Sequence, residues 1–363
     1  MTSTDLPLRF FTAQDAEQWG LSRTAPLDGE RVAVIGYGNL GRALSQNLRD
    51  SGVSPLVVGN IADEYAQLAR DEGFQVLPIG QAVARSDISL ILLPDEVIPE
   101  VFAADIAPNL APGSAILFAS GYNLAYGLIQ SPENVDVLLL APRMGGELAR
   151  ERFLRQQGFF AYLSVEQEAA GTGSRARPAQ GDDPREGSRA WRRLLSIAQA
   201  VGVLQAGALE LDARREADLD LFIEQTLGAV IGVSMMSAFT LGVEAGIPPE
   251  AMVIEMYMSG EMETVFRAFR EKGFFRASDT HGPTALYGGF VRTMQLMQSD
   301  LAARFRQTLE EIQSGEFARQ FQSEREAGYP MLSQAQLMSS QESPVTLPTV
   351  QAEARVRAML GGT

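Results

Sequence analysis

Asp220 and Glu224 stand four residues apart in Asp220-Leu221-Phe222-Ile223-Glu224-Gln225. On a helix this spacing places two carboxylates on one face, about 6 Å apart at Cβ. Two hard oxygen donors so placed suit Mg²⁺, which keeps several waters and binds substrate oxygens. Leu221, Phe222 and Leu227 flank the pair beside the most apolar stretch of the chain, so a site is expected there rather than a solvated face. A second chemical signal is Ile35-Gly36-Tyr37-Gly38-Asn39-Leu40-Gly41, a Gly-x-Gly-x-x-Gly turn after an apolar strand and before a helix. In that setting the pattern predicts a dinucleotide phosphate site. Gly36 permits the tight turn, Gly38 lets a pyrophosphate approach the backbone, and Gly41 lets helix and strand pack closely. The N–H groups of the turn, Tyr37, Asn39 and Leu40 included, act with the helix dipole to attract phosphates.

The second strand ends Val58-Gly59-Asn60 and runs into Ile61-Ala62-Asp63-Glu64, with no Lys or Arg between Val53 and Leu68. Nothing there holds a 2′-phosphate. Asn60 and Asp63 are expected beside the adenosine ribose, and Asp63 or Glu64 can accept from its hydroxyls. A carboxylate repels a 2′-phosphate by roughly 1–3 kcal/mol at an effective dielectric near 20. NADH is therefore expected over NADPH. Both acids also suit a helix N-terminus. Pro94-Asp95-Glu96 follows the fourth strand, at the sheet edge where α/β cofactor sites lie. Pro94 is expected to line the nicotinamide pocket and Asp95 to cap a helix.

These residues need a frame. Short apolar runs (Arg31–Ile35, Leu56–Val58, Gln75–Leu77, Ile88–Leu93, Ala115–Phe118, Val135–Leu140, Phe159–Leu163) alternate with helical stretches such as Arg42–Ser51 and Asp63–Glu72. Continuous apolar runs suit strands buried on both faces of a parallel sheet, and the alternation predicts a doubly wound α/β domain. From residue 208 onward, long helical patterns replace strands: Glu216–Ala245, Pro249–Lys272, Tyr287–Glu311 and Ser333–Met338. The expected domains are 1–207 and 208–363. Gly171–Ser188, rich in Gly, Pro, Arg and Asp, reads as an exposed loop with solvated basic residues. Gln225–Val243 carries no charge and reaches the length of a membrane span. Its Gly228, Gly232, Ser234, Ser237, Thr240 and Gly242, bracketed by Glu224 and Glu244, read instead as a buried helix of a helical core.

The 363 residues include 30 Lys and Arg, 45 Asp and Glu and no cysteine, giving a formal charge of −15. Disulfides, thiolate zinc sites and cysteine nucleophiles are excluded. The charge argues against non-specific binding of nucleic acid or anionic membranes. The N-terminal residues lack a signal-peptide pattern, so a cytoplasmic protein is expected. The single histidine, His281, precedes Gly282-Pro283-Thr284 and reads as a packed or solvated turn residue, not a general base.

The stretches GYGNLGRALSQNLRDSGV, LILLPDE, IAPNLAPGSAILFASGYNLAYG and VDVLLLAPR resemble ketol-acid reductoisomerase, as do EADLDLFIEQTL, THGPTALYGG and IQSGEFARQFQSEREAGYP. That family couples a Mg²⁺-dependent alkyl migration to reduction by a nicotinamide cofactor, making dihydroxy acid precursors of branched-chain amino acids. The resemblance implies a Rossmann-type domain, a knotted all-helical domain and an obligate dimer or higher homo-oligomer. It also implies Asp220 and Glu224 as metal ligands, joined by two glutamates of the partner subunit at i and i+4. Here that second pair falls on Glu255 and Ser259, or, in the preferred alignment, on Tyr257 and Glu261. One outer acid is missing either way, and weakened Mg²⁺ binding is expected.

Three further positions depart from the family. Ser120, before Gly121, stands where the family has histidine; Arg143 stands for lysine, and Gly282 for serine. The implied catalytic set is thus Ser120, Arg143, Asp220, Glu224 and Glu261, with Gly121 beside the cofactor. The expectation is an NAD(P)H-dependent reductase of a small keto or imino acid without alkyl migration. The alternative is the full Mg²⁺-dependent reductoisomerase. A non-catalytic nucleotide-binding protein is the third reading, and the intact glycine turn argues against it.

Overall fold

The computed structural model describes residues 8–22, 27, 29–170, 183, 185–276, 282–341 and 343–361. Two compact units emerge, Met1–Leu219 and Asp220–Thr363. The first holds a nine-stranded sheet: β1 (Phe10–Phe11), β2 (Val32–Ile35), β3 (Leu56–Gly59), β4 (Gln75–Leu77), β5 (Ile88–Ile91), β6 (Ala115–Phe118), β7 (Asp136–Pro142), β8 (Ala161–Gln167) and β9 (Ala208–Glu210). Their order is β1-β9-β8-β7-β6-β5-β2-β3-β4. The run β7-β6-β5-β2-β3-β4 is parallel throughout, the doubly wound arrangement that the apolar runs predict. Every residue of β2, β5 and β6 is buried. Alternate side chains feed two apolar clusters: Val34, Leu90, Leu117 and Leu138 in one, and Ala33, Ile35, Ile91 and Phe118 in the other.

Beyond β7 the sheet is mixed. β8 runs antiparallel to β7, with Ala161 opposite Pro142. The Arg143 N–H donates to the Phe160 carbonyl at 2.9 Å, so the chain re-enters the sheet at the edge it has just left and must run back. β8 starts at Ala161, not Phe159, and β9 pairs parallel to β8 and antiparallel to β1. Ala208–Glu210 therefore belongs to the sheet, and the division between the units falls at Leu219/Asp220 rather than at 207/208. Of the loop expected at 171–188, residues 171–182 and 184 lie outside the described residues. Arg185, expected to be solvated, is buried and pairs with Glu210 at 2.7 Å.

The second unit is helical. Ala213–Ile223 runs into a π-helical turn, Glu224–Gly228, and on into Ala229–Glu244. A second π turn, Ile254–Met258, lies between the helices Pro249–Val253 and Glu261–Lys272. Turns of this kind are rare and concentrate at functional sites. Phe239, Val253, Ala352 and Val356 form a small buried cluster. The helix expected to be buried is mostly bare in the single chain: Val233 and Leu241 are both 64% exposed. By length and composition Ala213–Glu244 could also span a bilayer. Among the described residues, the helical layers of one chain do not cover it.

Candidate active site

The glycine turn follows β2. Gly36 has φ +95°, and a Cβ there would lie 2.6 Å from the Leu92 carbonyl oxygen. A Cβ on Gly41 would lie 2.1 Å from the Gly36 oxygen. These two glycines are required by the turn itself. Gly38 differs: a Cβ there meets nothing within 4 Å. It precedes the helix Asn39–Asp50, whose N-terminus no side chain caps. Open space before uncapped first-turn N–H groups is what a pyrophosphate needs. The side chains of the turn face elsewhere. Asn39 Oδ1 accepts the Gly146 N–H at 2.6 Å, Leu40 packs on the core, and the buried Tyr37 ring lies against Phe74. The Tyr37 hydroxyl donates to Glu72 at 2.7 Å.

At the end of β3, Asn60 Oδ1 accepts the Tyr37 N–H at 3.1 Å while Asn60 Nδ2 donates to Asp63 Oδ1 at 2.8 Å. Asp63 Oδ1 also accepts the Ala66 N–H and caps the helix Glu64–Asp71. The Asn60–Asp63 pair thus stands locked at the strand end. Arg42, on the helix after the turn, is tied to Glu72 through Nε at 2.8 Å. Despite partial burial, hydrogen bonds from Arg42, Tyr37 and Gln46 hold the Glu72 carboxyl below its ordinary value, so it stays charged.

Pro94 is exposed just past β5. Asp95 does not cap a helix, because the next one, Ile98–Val101, is preceded by Val97. Its carboxylate instead bridges strand ends: Oδ2 accepts from the Ser120 hydroxyl at 2.9 Å, and Oδ1 accepts from Asn123 Nδ2 at 3.1 Å. Ser120 Oγ in turn accepts the Tyr122 N–H at 3.2 Å. The single hydroxyl proton of Ser120 is directed at Asp95. Gly121 is a packing glycine, since a Cβ there would lie 2.2 Å from the Ala213 oxygen.

The Gly121 N–H donates to Glu216 Oε2 at 2.7 Å, and Arg143 donates to Glu216 Oε1 at 2.9 Å. Glu216 is 1% exposed and the Arg143 side chain 25%. The Arg143 guanidinium also lies over the Tyr162 ring, 4.9 Å from its centroid. Sequence reading missed Glu216. The available signal was the acid ladder 216, 220, 224, one helical turn apart. Nearby, burial and then Asp218 push Tyr126 up to about 12, so its hydroxyl stays protonated.

Asp220 is half-buried and Glu224 exposed, at the end of Ala213–Ile223 and the first position of the π turn. Glu261 opens its helix and is exposed, as is Glu255. The Tyr257 hydroxyl donates to Glu353 at 2.5 Å. Among the described residues of the single chain, no three acids or histidines cluster as a metal site. His281 lies outside the described residues.

The glycine turn, Asp95, Ser120 and Arg143 follow β2, β5, β6 and β7 along one carboxyl edge, the frame of a nicotinamide-dependent oxidoreductase. Two family models match: acetohydroxy acid isomeroreductase, NADPH-binding domain, over residues 26–181, and ketol-acid reductoisomerase, C-terminal domain, over 214–361. A protein of Saccharolobus solfataricus named putative ketol-acid reductoisomerase 3 is 35% identical over 84% of this chain and 88% of its own length. The ketol-acid reductoisomerase (NADP(+)) of Methanopyrus kandleri is 36% identical over 84% of this chain and 86% of its own. A solved NADH-preferring ketol-acid reductoisomerase from an uncultured archean is 27% identical, with a TM-score of 0.82 over 97% of this chain and 99% of its own. The chain belongs to the ketol-acid reductoisomerase family and is an NAD(P)H-dependent oxidoreductase.

Proposed function

We propose that the chain is a ketol-acid reductoisomerase that prefers NADH and acts on a small keto acid. The observation that supports this reading is the single carboxyl edge holding an open pyrophosphate turn beside Arg143. The Arg143 guanidinium offers a planar set of donors that would attract the substrate's carboxylate. Glu216 holds the guanidinium in place. Asp220 and Glu224 would hold Mg²⁺; two oxygens one turn apart fit an ion that keeps several waters, and the bound ion would polarise substrate oxygens. The names of the curated relatives favour the full reaction, alkyl migration included.

A second reading, reduction without migration, has its own support. Ser120 offers a hydroxyl and Arg143 a guanidinium, and neither is the chemical equivalent of a proton-shuttling histidine or lysine. Cofactor oxidation with acetolactate and with its rearranged 3-hydroxy-2-keto isomer, each with and without Mg²⁺, separates the readings. Mg²⁺-dependent turnover of both at similar rates supports the full reaction. Turnover of the isomer alone supports reduction only. If neither substrate oxidises NADH, both readings fail.

The NADH preference rests on Asp63 and Glu64 and on Arg42 being engaged by Glu72. NADH is expected to bind about 10-fold tighter than NADPH or better, matching a repulsion of roughly 1–3 kcal/mol. Fluorescence titration of both cofactors checks this, and tighter NADPH binding overturns it.

The exposed apolar face of Ala229–Glu244, with Val233, Met236 and Leu241, is proposed to pair with a second copy through residues 208–363. Sedimentation is expected to give a dimer or higher species at micromolar concentration. A folded monomer there contradicts the proposal.

A further inference from the structure

We infer that Asp95 and Asn123 are positioning residues that make Ser120 a hydrogen-bond acceptor for the N–H of the cofactor's nicotinamide carboxamide. This rests on the reading that a nicotinamide dinucleotide occupies the glycine turn. A serine hydroxyl has one proton and two lone pairs. The Ser120 proton goes to Asp95 Oδ2 at 2.9 Å, and one lone pair takes the Tyr122 N–H at 3.2 Å. Among the described residues nothing else bonds to this oxygen. Ser120 is only half-buried at the carboxyl edge. It therefore has one lone pair, and no proton, to offer a bound molecule.

The direction of that proton is fixed from behind. Asn123 is wholly buried. Its Nδ2 donates to the Asp95 main-chain oxygen at 3.0 Å and to Asp95 Oδ1 at 3.1 Å. Both partners are acceptors, so only the nitrogen end of the amide fits there, and both its N–H groups are used. The Asp95 side chain is thereby held with Oδ2 toward Ser120. A hydroxyl that donates within such a chain also becomes a stronger acceptor.

Strand order points to the group that donates. β3, which runs into Asn60 and Asp63, lies on one side of β2; β5 and β6, which run into Asp95 and Ser120, lie on the other. A dinucleotide laid across this switch point, with its adenosine toward β3, carries its nicotinamide half toward β5 and β6. The ribose hydroxyls of that half can pair with a serine hydroxyl of either polarity. The carboxamide NH₂ only donates, so it alone requires a serine whose proton is turned away.

Calorimetric titration of the full chain with NADH and with reduced 3-acetylpyridine adenine dinucleotide tests this, because a methyl group replaces the carboxamide NH₂ in the second. The parent is expected to bind NADH about 10-fold tighter than the analogue, the worth of one hydrogen bond, and Ser120→Ala to bring the two within about 2-fold. In Asp95→Asn the amide oxygen stays with Asn123, the amide nitrogen faces Ser120, and the serine proton turns outward. The preference for NADH is expected to fall at least as far as in Ser120→Ala. Asp95→Asn placed in the Ser120→Ala background is expected to change the ratio no further, which a general loss of packing would not reproduce. The parental preference kept in either folded single variant, or a further change in the double variant, overturns the inference. NADH binding without a parental preference overturns it and leaves the cofactor reading in place. No NADH binding by the parent removes both.

Discussion

Gly38→Val abolishes dinucleotide binding while leaving the fold in place. A Cβ at Gly38 meets nothing within 4 Å, and the backbone there, at φ −70° and ψ −161°, is open to any residue. The folded chain loses only a modest capping preference, a few tenths to about 1 kcal/mol. The valine methyls, however, enter the open space before the first-turn N–H groups of Asn39–Asp50. NADH affinity is expected to fall about 100-fold or more, equivalent to about 2.7 kcal/mol. Gly36→Ala and Gly41→Ala are the contrasting pair. Their new Cβ atoms would lie 2.6 and 2.1 Å from backbone oxygens, so they unsettle the fold itself. Titration of NADH fluorescence beside circular-dichroism melting distinguishes the two outcomes. A folded Gly38→Val variant with parental affinity would remove the phosphate site from this turn.

Glu216→Ala is expected to produce a large stability loss by removing a side chain rather than by adding a clash. The carboxylate is 1% exposed and takes hydrogen bonds from the Gly121 N–H and from Arg143. Removing it takes the acceptor at 2.7 Å from the Gly121 N–H and the carboxylate at 2.9 Å from the Arg143 guanidinium. Breaking a buried pair costs about 3–5 kcal/mol, and the 25% exposure of Arg143 puts this case near 3. For a unit of this size that is a fall of about 6–12 °C in melting temperature. Glu216→Gln keeps an acceptor for Gly121 and is expected to fall by less. Both variants should weaken keto-acid binding, because Arg143 loses the carboxylate that orients it. Calorimetry and KM measurement check these together. A Glu216→Ala melt within about 2 °C of the parent, by the same scaling, contradicts the assignment.

The glycine turn could be read from sequence because its demands are local: Gly36 needs its φ, and Gly41 meets an oxygen five residues away. The central strands were readable because burial on both faces erases polar alternation from β2, β5 and β6. Strand direction was not. An apolar run carries no sign of which way it points, and β8 reverses only because Arg143 and Phe160 close a hydrogen bond across the turn. β1 and β9 are too short to leave a pattern. Asp95 was read as a local cap since Ser120 and Asn123 lie more than twenty residues ahead. Glu216 was overlooked for the same reason: an acid on a helix looks solvated until Gly121 and Arg143 arrive from other strand ends. The apolar character of Gln225–Val243 was plain, but apolarity says only that something covers a surface, not which chain supplies the cover.

The turn Glu224–Gly228 holds one residue more than an α-helical turn would, which gives it the character of a one-residue insertion. Deleting Gln225 would let the helix close at ordinary pitch. Asp220 would keep its direction, since it precedes the change. Everything from Ala229 to Glu244 would keep nearly its present direction, because an ordinary helical turn carries the chain about as far round the axis as the wider turn it replaces. The bare apolar stripe and the acid at 220 would both stay put, and only the bulged segment that begins at Glu224 would be repacked. A length change of one residue here would thus alter the setting of Glu224 without turning the surface that follows it.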